Sequence, residues 1–331
     1  MHQFQYTRAT DIDAALRLFS TQGAGPPPRF LAGGTTLVDL MKLDVETPAH
    51  IIDINGLGLN DIEVLPDGRT RIGALVRNAD LARDERIATH YPVLSQALLS
   101  GASAQLRNMA TTSGNLLQRT RCVYFRDRAA RCNKRDPGSG CDAIGGHNRN
   151  LAILGTSEHC IASNPSDMNV ALMALDATVH VQGPDGRRDI ALRDFYLLPG
   201  DTPQHETVLD PNELITHVTL PASAASERSC YVKLRDRASY EFALVSAAVV
   251  LQVRDAHILA ASIALGGVGT RPWRCPSAET ELAGRAPSAA LYEKAAQSAL
   301  QGAVAQSENG FKIELARRCL IHALSTALPL Q

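Results

Sequence analysis

Arg29-Phe-Leu-Ala-Gly-Gly-Thr-Thr-Leu37 decides the fold together with Arg107-Asn-Met-Ala-Thr-Thr-Ser-Gly-Asn-Leu116 and Ser163-Asn-Pro-Ser-Asp-Met168. The first stretch passes from a short apolar run through Gly33-Gly34-Thr35-Thr36 into helical spacing at Leu37, Leu40 and Met41. A turn between a strand and a helix can face its backbone amides toward an anion at the helix start. It lacks the G-x-G-x-x-G fingerprint and the lysine of a P-loop. Alone, it reads more readily as a glycine turn demanded by backbone geometry.

Outward from this turn, residues 11–19 place Ile12, Ala15, Leu16 and Phe19 on one helical face, with Thr10 or Asp11 as the cap. GAGPPP at 23–28 breaks the chain, and Ile51-Ile-Asp-Ile54 predicts a strand closing this unit. From Ile62 the texture changes to short strands with turns at Pro66-Asp67-Gly68 and Gly183-Pro-Asp-Gly186, and to a helix that Asn78 would cap. Strands are expected at 178–182 and 215–220. The small, polar run 221–226 reads as a linker. Strands near 231–234, 243–253 and 258–265 follow, and then helical spacing at Leu291, Ala295, Ala299, Leu315, Leu320 and Leu324. There is no internal repeat. The expected organisation is α+β, with units at 1–56, 57–221 and 227–331.

The chain has 331 residues, 45% of them hydrophobic, enough for several packed units. With 33 basic against 34 acidic residues it gives no general reason to bind nucleic acid or a membrane surface. Aromatic residues make up 5%, and the single Trp273 offers no stacking platform. No run approaches the ~20 apolar residues of a membrane span. The opening residues MHQFQYTRATDIDAALRLF have no apolar core or cleavage site of an export signal, so none is expected in this chain.

Taken together, the three stretches resemble the FAD-binding subunits of the xanthine dehydrogenase, or molybdenum hydroxylase, family. The resemblance implies a flavin fold of the vanillyl-alcohol-oxidase (PCMH) type in two subdomains, followed by a C-terminal α+β domain. It implies that Ala32, Gly33, Gly34, Thr35, Thr36 and Leu37 form one FAD diphosphate loop and that Ala110, Thr111, Gly114 and Asn115 form the other. Asp167 would contact the ribityl chain. Hydroxyls at Thr35 and Thr111 and close backbone approach at glycine suit that task. Ser113 departs from the family, which often has glycine there. Lys233-Leu-Arg-Asp-Arg-Ala-Ser-Tyr240-Glu-Phe-Ala243 and Asn309-Gly-Phe-Lys312 extend the resemblance to nearly the whole chain. By this match Ile215 and Lys233 lie near the flavin ring. Tyr240 does too, where NAD-using relatives often carry an acidic residue, so NAD is expected to be a poor acceptor.

Seven cysteines are present, and Cys122-x9-Cys132-x8-Cys141-x18-Cys160 clusters in the roughly 50 residues between Asn115 and Asp167. Most of the family has only a few residues there. Cys230, Cys275 and Cys319 are isolated and read as small buried hydrophobes. A chain of this size needs no disulfide staples, so four grouped thiols point to an inorganic centre that orders an insertion of about 119–163 with little apolar content of its own. The spacing matches neither the paired C-x2-C of zinc ribbons nor the plant-type [2Fe-2S] run, so it leaves zinc and iron–sulfur open. Position between two flavin-binding segments favours a redox centre. The resemblance agrees: periplasmic aldehyde oxidoreductases and 4-hydroxybenzoyl-CoA reductases have a [4Fe-4S] cluster in this subunit, and RTRC, CNKR, PGSGC and SE-x-C-I-A resemble the former. Arg119, Arg121, Arg126, Arg128, Arg131, Lys134 and Arg135 surround the first cysteines, with only Asp127 and Asp136 opposing nearby. They are expected to offset the negative charge of a thiolate-bound cluster.

The chain has no further cysteine set for [2Fe-2S] clusters and no recognisable molybdopterin segment. The resemblance therefore implies a subunit of a heterotrimer, with a molybdenum-cofactor subunit that hydroxylates an aldehyde or heteroaromatic substrate and a [2Fe-2S] subunit. This chain would relay electrons through its [4Fe-4S] cluster to FAD and an external acceptor. The location implied is the periplasm, by co-export with a signal-bearing partner, or the cytoplasm. Other readings stand beside this one: a subunit of a related hydroxybenzoyl-CoA reductase-like or xanthine dehydrogenase-like enzyme, a zinc-stabilised interaction protein that uses its basic loop, and a free-standing flavin oxidase.

Overall fold

The computed structural model describes residues 1–20, 25–224 and 227–330. Gly23 and Ala24 of the proline-rich break, and Ala225 and Ser226 of the linker, lie outside the described residues.

The first unit contains β1 (Gln5–Arg8), α1 (Ile12–Ser20), β2 (Arg29–Leu31), α2 (Leu37–Lys42) and β3 (His50–Asp53). Both β1 and β2 run parallel to the central β3. All four residues of β3 are buried, as the middle strand of a sheet covered on both faces must be. Asp11 caps α1, its Oδ1 accepting the Ala14 amide at 2.7 Å.

The second unit contains β4 (Ile62–Val64), β5 (Thr70–Gly73), α3 (Asn78–Arg83), α4 (Glu85–His90), α5 (Pro92–Ser100), α6 (Ala104–Arg107), α7 (Thr112–Leu116), α8 (Val123–Arg126), α9 (Asp167–Ala174), β6 (Thr178–Gly183), β7 (Gly186–Ala191), α10 (Leu192–Phe195) and β8 (Leu214–Leu220). Its five strands form an antiparallel sheet in the order β4-β5-β8-β6-β7. The Gly183–Gly186 turn joins β6 and β7 as a hairpin, with Val179 and Val181 of β6 facing the core. Asn78 does not cap α3. It is the first helical residue, and Arg77 occupies the cap position without a side-chain bond.

The third unit contains β9 (Glu227–Leu234), β10 (Val245–Arg254), β11 (His257–Gly266), β12 (Trp273–Arg274), α11 (Pro276–Leu282), α12 (Ala289–Ala299) and α13 (Phe311–Ala327). Its sheet is antiparallel, in the order β12-β11-β10-β9. Alternation along β10 divides the core. Ala247, Val249 and Leu251 join Leu291, Ala295 and Leu320 of the helices, while Ala248 and Val250 pack with Leu94 and Leu172 of the second unit. Every residue of α9 is buried, because the helix is wedged between α5 and this sheet. The fold thereby puts Asp167, at the start of α9, deep in the seam.

The insertion departs from expectation in one respect. Phe125, Ala143, Leu151, Ile161 and Ala162 form a small core with Cys122, Cys132, Cys160 and Leu40 from α2. It therefore has apolar content of its own. Main-chain bonds from Ile153 and Leu154 to Val268, at 2.8 and 3.0 Å, tie its far side to the third unit.

Candidate cofactor site

Gly33 and Gly34 are required by their surroundings. A Cβ on Gly33 would stand 2.0 Å from the Met109 carbonyl oxygen, and Gly34 has φ +72. The first glycine loop therefore lies against the second segment, backbone on backbone. A buckle holds the contact: the Asn55 amide donates to the carbonyls of Ala32 at 2.9 Å and Leu31 at 3.3 Å, and its Oδ1 accepts from Arg77 at 3.2 Å. Arg77 also donates to Met109 O at 2.5 Å.

Two adjoining cavities, of about 390 and 430 Å³, open from this contact, each the size of a small-molecule site. The first is lined by Ala32, Gly33, Gly34, Leu37, Thr111 and Ile215, and the second by Ala110, Asn115, Asp167, Lys233 and Tyr240. They share Thr35, Thr36 and Gly114. Every flavin-site residue read from the sequence thus lines one cavity or the other. Ile215 and Lys233 line different ones. Thr111 is fully buried at the cap position of α7, where its hydroxyl oxygen accepts the Gly114 amide at 3.2 Å and keeps its hydrogen to donate. Asn115 Oδ1 accepts from Ser166 at 2.7 Å, which couples the second segment to the third.

Asp167 is buried, and both carboxylate oxygens are engaged: Oδ1 accepts from the Tyr231 hydroxyl at 2.5 Å, and Oδ2 from Lys233 Nζ at 2.8 Å. Lys233 also donates to Ser100 O at 3.1 Å. Removing one member of such a buried pair strands the other, at about 3–5 kcal/mol. Burial, then the Asp167 charge, raises the Tyr231 hydroxyl well above the ordinary tyrosine range, so it stays a donor. Tyr240 sits on the rim of the second cavity, 56% exposed, in the left-handed region at φ +52, with the Arg237 guanidinium 5.7 Å from its ring centre.

Between these segments the insertion gathers its thiols. Cys122, Cys132 and Cys160 are buried in one cluster and Cys141 packs against it. Cys132 and Cys141 face each other across a one-pair antiparallel bridge. Burial pushes Cys122 up to about 11 and raises Cys160, while amides aimed at the sulfurs, from Phe125 and Tyr124 for Cys122 and from Ala162 for Cys160, favour the thiolates. Lys134 acts on Cys160 in the same direction as its amide. An all-sulfur donor set with amides directed at the sulfurs suits an iron–sulfur cluster. Among the described residues, no three of His, Cys, Asp and Glu converge on one metal ion. Cys230, Cys275 and Cys319 are buried elsewhere.

The basic residues of the insertion are less free than their sequence neighbours suggest. Arg121 and Arg126 both pair with Asp39 of α2, at 3.1 and 2.8 Å, Arg131 pairs with Asp142 at 2.8 Å, and Arg128 reaches Asp44 at 3.8 Å. Hydrogen bonding from Arg126, with both guanidinium charges, outweighs burial and holds Asp39 below the usual carboxylate range. Arg119 pairs with Glu46 at 2.7 Å and with Glu206, and Lys134 pairs with Glu206 at 3.0 Å. Arg135 donates to the carbonyls of Tyr124, Phe125 and Ala130, closing the loop on itself. Most of the charge expected to offset a cluster is therefore met by carboxylates distant in sequence.

Asn55, Arg77, Tyr231 and Glu206 were not singled out from the sequence. Each acts across 22 or more residues, and no local pattern marks it.

Comparison with known proteins agrees with this geometry. Residues 2–223 match the family model described as the FAD binding domain in molybdopterin dehydrogenase, and residues 229–327 match the CO dehydrogenase flavoprotein C-terminal domain. The chain is 52% identical over 329 residues to the FAD-binding subunit of an aldehyde oxidoreductase from Escherichia coli K12, covering 99% of both chains. It is 27% identical to the glyceraldehyde dehydrogenase medium chain of Sulfolobus acidocaldarius, covering 86% of this chain and 82% of that one. The fold is that of carbon monoxide dehydrogenase from Hydrogenophaga pseudoflava, with a TM-score of 0.77 at 24% identity over 98% and 97% of the two chains. The matched models span nearly all of the sequence, and the aldehyde oxidoreductase relative is matched along its whole length, so the chain belongs to the FAD-binding subunits of the molybdenum hydroxylase family of oxidoreductases.

Proposed function

We propose that the chain is the electron-transfer subunit of a molybdenum-dependent aldehyde oxidoreductase, holding one noncovalent FAD across its two joined cavities and one [4Fe-4S] cluster on Cys122, Cys132, Cys141 and Cys160. The observation that carries this reading is the gathering of Cys122, Cys132 and Cys160 in one buried cluster with Cys141 packed against it, on the stretch between the segments that line the two cavities. The aldehyde assignment rests on the relative at 52% identity. When bound, such a cluster supplies one-electron transfer and FAD supplies two-electron storage, while the protein places and tunes them.

The chain's own residues have distinct tasks. The loop Ala32–Leu37, with Ala110, Thr111 and Gly114, offers amides and hydroxyls to the diphosphate. Asp167, fixed by Tyr231 and Lys233, accepts from ribityl hydroxyls. Ile215 and Lys233, which line different cavities, would bound the ring. Substrate chemistry belongs to a molybdenum-cofactor subunit, and a [2Fe-2S] subunit feeds electrons to this chain, which passes them to an external acceptor. No helix among the described residues is long and apolar enough to cross a membrane. By family resemblance we place the complex in the periplasm, carried with a signal-bearing partner; recovery of the assembled complex in the cytoplasmic fraction would contradict that placement.

The flavin assignment is tested by composition. No His or Cys stands at a recognisable attachment point, so acid precipitation releases the flavin, and Asp167→Asn lowers flavin per chain while the complex still assembles. Flavin remaining with the precipitate, or full occupancy in the variant, contradicts it.

A further inference from the structure

We propose that Lys134, held in place by Glu206, is the residue of this chain that sets the reduction potential of the cluster on the four cysteines. The proposal rests on the iron–sulfur reading above and adds the charge that tunes it. Of the seven basic residues around the first cysteines, Arg121 and Arg126 share the single Asp39 carboxylate and are drawn toward α2, Arg128 and Arg131 are exposed, and Arg135 is spent on carbonyls. Arg119 and Lys134 remain, and they belong to one ladder of ion pairs. Arg29 pairs with Glu46 at 3.0 Å, Glu46 with Arg119 at 2.7 Å, Arg119 with Glu206, and Glu206 with Lys134 at 3.0 Å.

The ladder joins three parts of the fold: the first unit through Arg29 and Glu46, the insertion through Arg119 and Lys134, and the connector before β8 through Glu206. Phe125, from the same small core as the cysteines, lies under the Arg119 guanidinium at 4.7 Å. All five charged groups line the wall of the first cavity, which has the flavin-side glycine loop at one place and Cys160 at another. A cation ends the ladder on each side. The Arg29 end is 38% exposed and screened by solvent, whereas the Lys134 side chain is only 9% exposed and is also fixed by the Pro203 carbonyl at 2.8 Å. Burial, which would raise Glu206, is outweighed by Arg119 and Lys134, so this carboxyl stays below the ordinary glutamate range and ionised.

An electron added to the cluster makes it more negative, and a buried ammonium close by stabilises that state far more than an exposed one. Glu206 opposes that effect while it holds the ammonium in position. Loss of Lys134 should therefore lower the potential, and loss of the Glu206 charge should raise it. A purely structural staple would perturb the loop in the same sense whichever partner were removed.

The test is a redox titration of the assembled complex, following the cluster by electron paramagnetic resonance, with iron, sulfide and flavin measured in each sample. Lys134→Met is expected to shift the midpoint down, Glu206→Gln to shift it up, and Lys134→Arg to restore it. Arg128→Met, on the exposed part of the same loop, is expected to leave it in place. Shifts of the same sign in the first two variants, or no shift with the cluster retained, overturn the proposal. If Lys134→Met loses its cluster, Glu206→Gln decides, and a potential that fails to rise overturns it. A wild-type complex without iron and sulfide overturns the iron–sulfur reading itself, before any variant is compared.

Discussion

Lys312 illustrates how far a side chain can stand from what its neighbourhood in sequence suggests. It is fully buried, with Nζ facing the carbonyls of Asn150 at 3.3 Å, Leu151 at 2.9 Å and Gly267 at 2.6 Å; the ammonium can donate to all three and the neutral amine to two of them. Asn309 beside it donates to Leu151 and Ala152, so the Asn309-Gly-Phe-Lys312 segment clasps the end of the insertion. Nothing local in the sequence marks this burial, because its acceptors lie 45 to 162 residues away. Burial, then the like charge of Arg149, pulls it down to about 7 from the ordinary 10.5. Between those values the unfolded chain holds a proton on Lys312 that the folded chain does not, so stability from this group rises with pH across the window. It is fully present above 10.5 and lost as pH falls through 7. The stability of the wild type relative to Lys312→Met, from denaturant midpoints, is therefore expected to increase from pH 7 to pH 9; a difference constant over that range contradicts the linkage.

Among the elements, the insertion shows most clearly what local sequence carries and what it hides. Its four cysteines were legible, because clustered thiols in a chain of this size have few structural uses. The glycine loop between β2 and α2 was legible too, since the turn residues and the change of periodicity are local signals. The small apolar core and the Asp39, Glu46 and Glu206 partners of its arginines were not, because they come from elements far along the chain. That core changes what loss of a ligand should do. Replacing Cys132 by serine is expected to abolish the cluster, while Phe125, Leu151 and Ile161 keep much of the insertion folded; Cys275→Ser should leave iron unchanged. Limited proteolysis with iron analysis checks both, and a Cys132→Ser chain with full iron, or a Cys275→Ser chain without it, sinks the ligand assignment.

At the level of the whole molecule, most strands of the second and third units were legible from their turns and apolar runs, but β1, β7 and β12 were not, nor was the way the three sheets close on one another. Tyr231 of β9 reaches Asp167 across 64 residues, and α9 is buried on every side because the third unit's sheet covers it. The proposed flavin site is therefore completed by the C-terminal unit. The insertion is bound to the same unit through Val268 and Lys312, so the two expected centres share one frame. The direct test is the composition and spectrum of the complex purified without oxygen. Near four iron and four sulfide with one FAD for each copy of this chain, beyond the iron carried by a [2Fe-2S] partner, and a [4Fe-4S]⁺ resonance on reduction that Cys122→Ser removes, are the expected result. Stoichiometric zinc in place of that iron, or a reduced complex whose resonances all belong to the partner subunit, would contradict it.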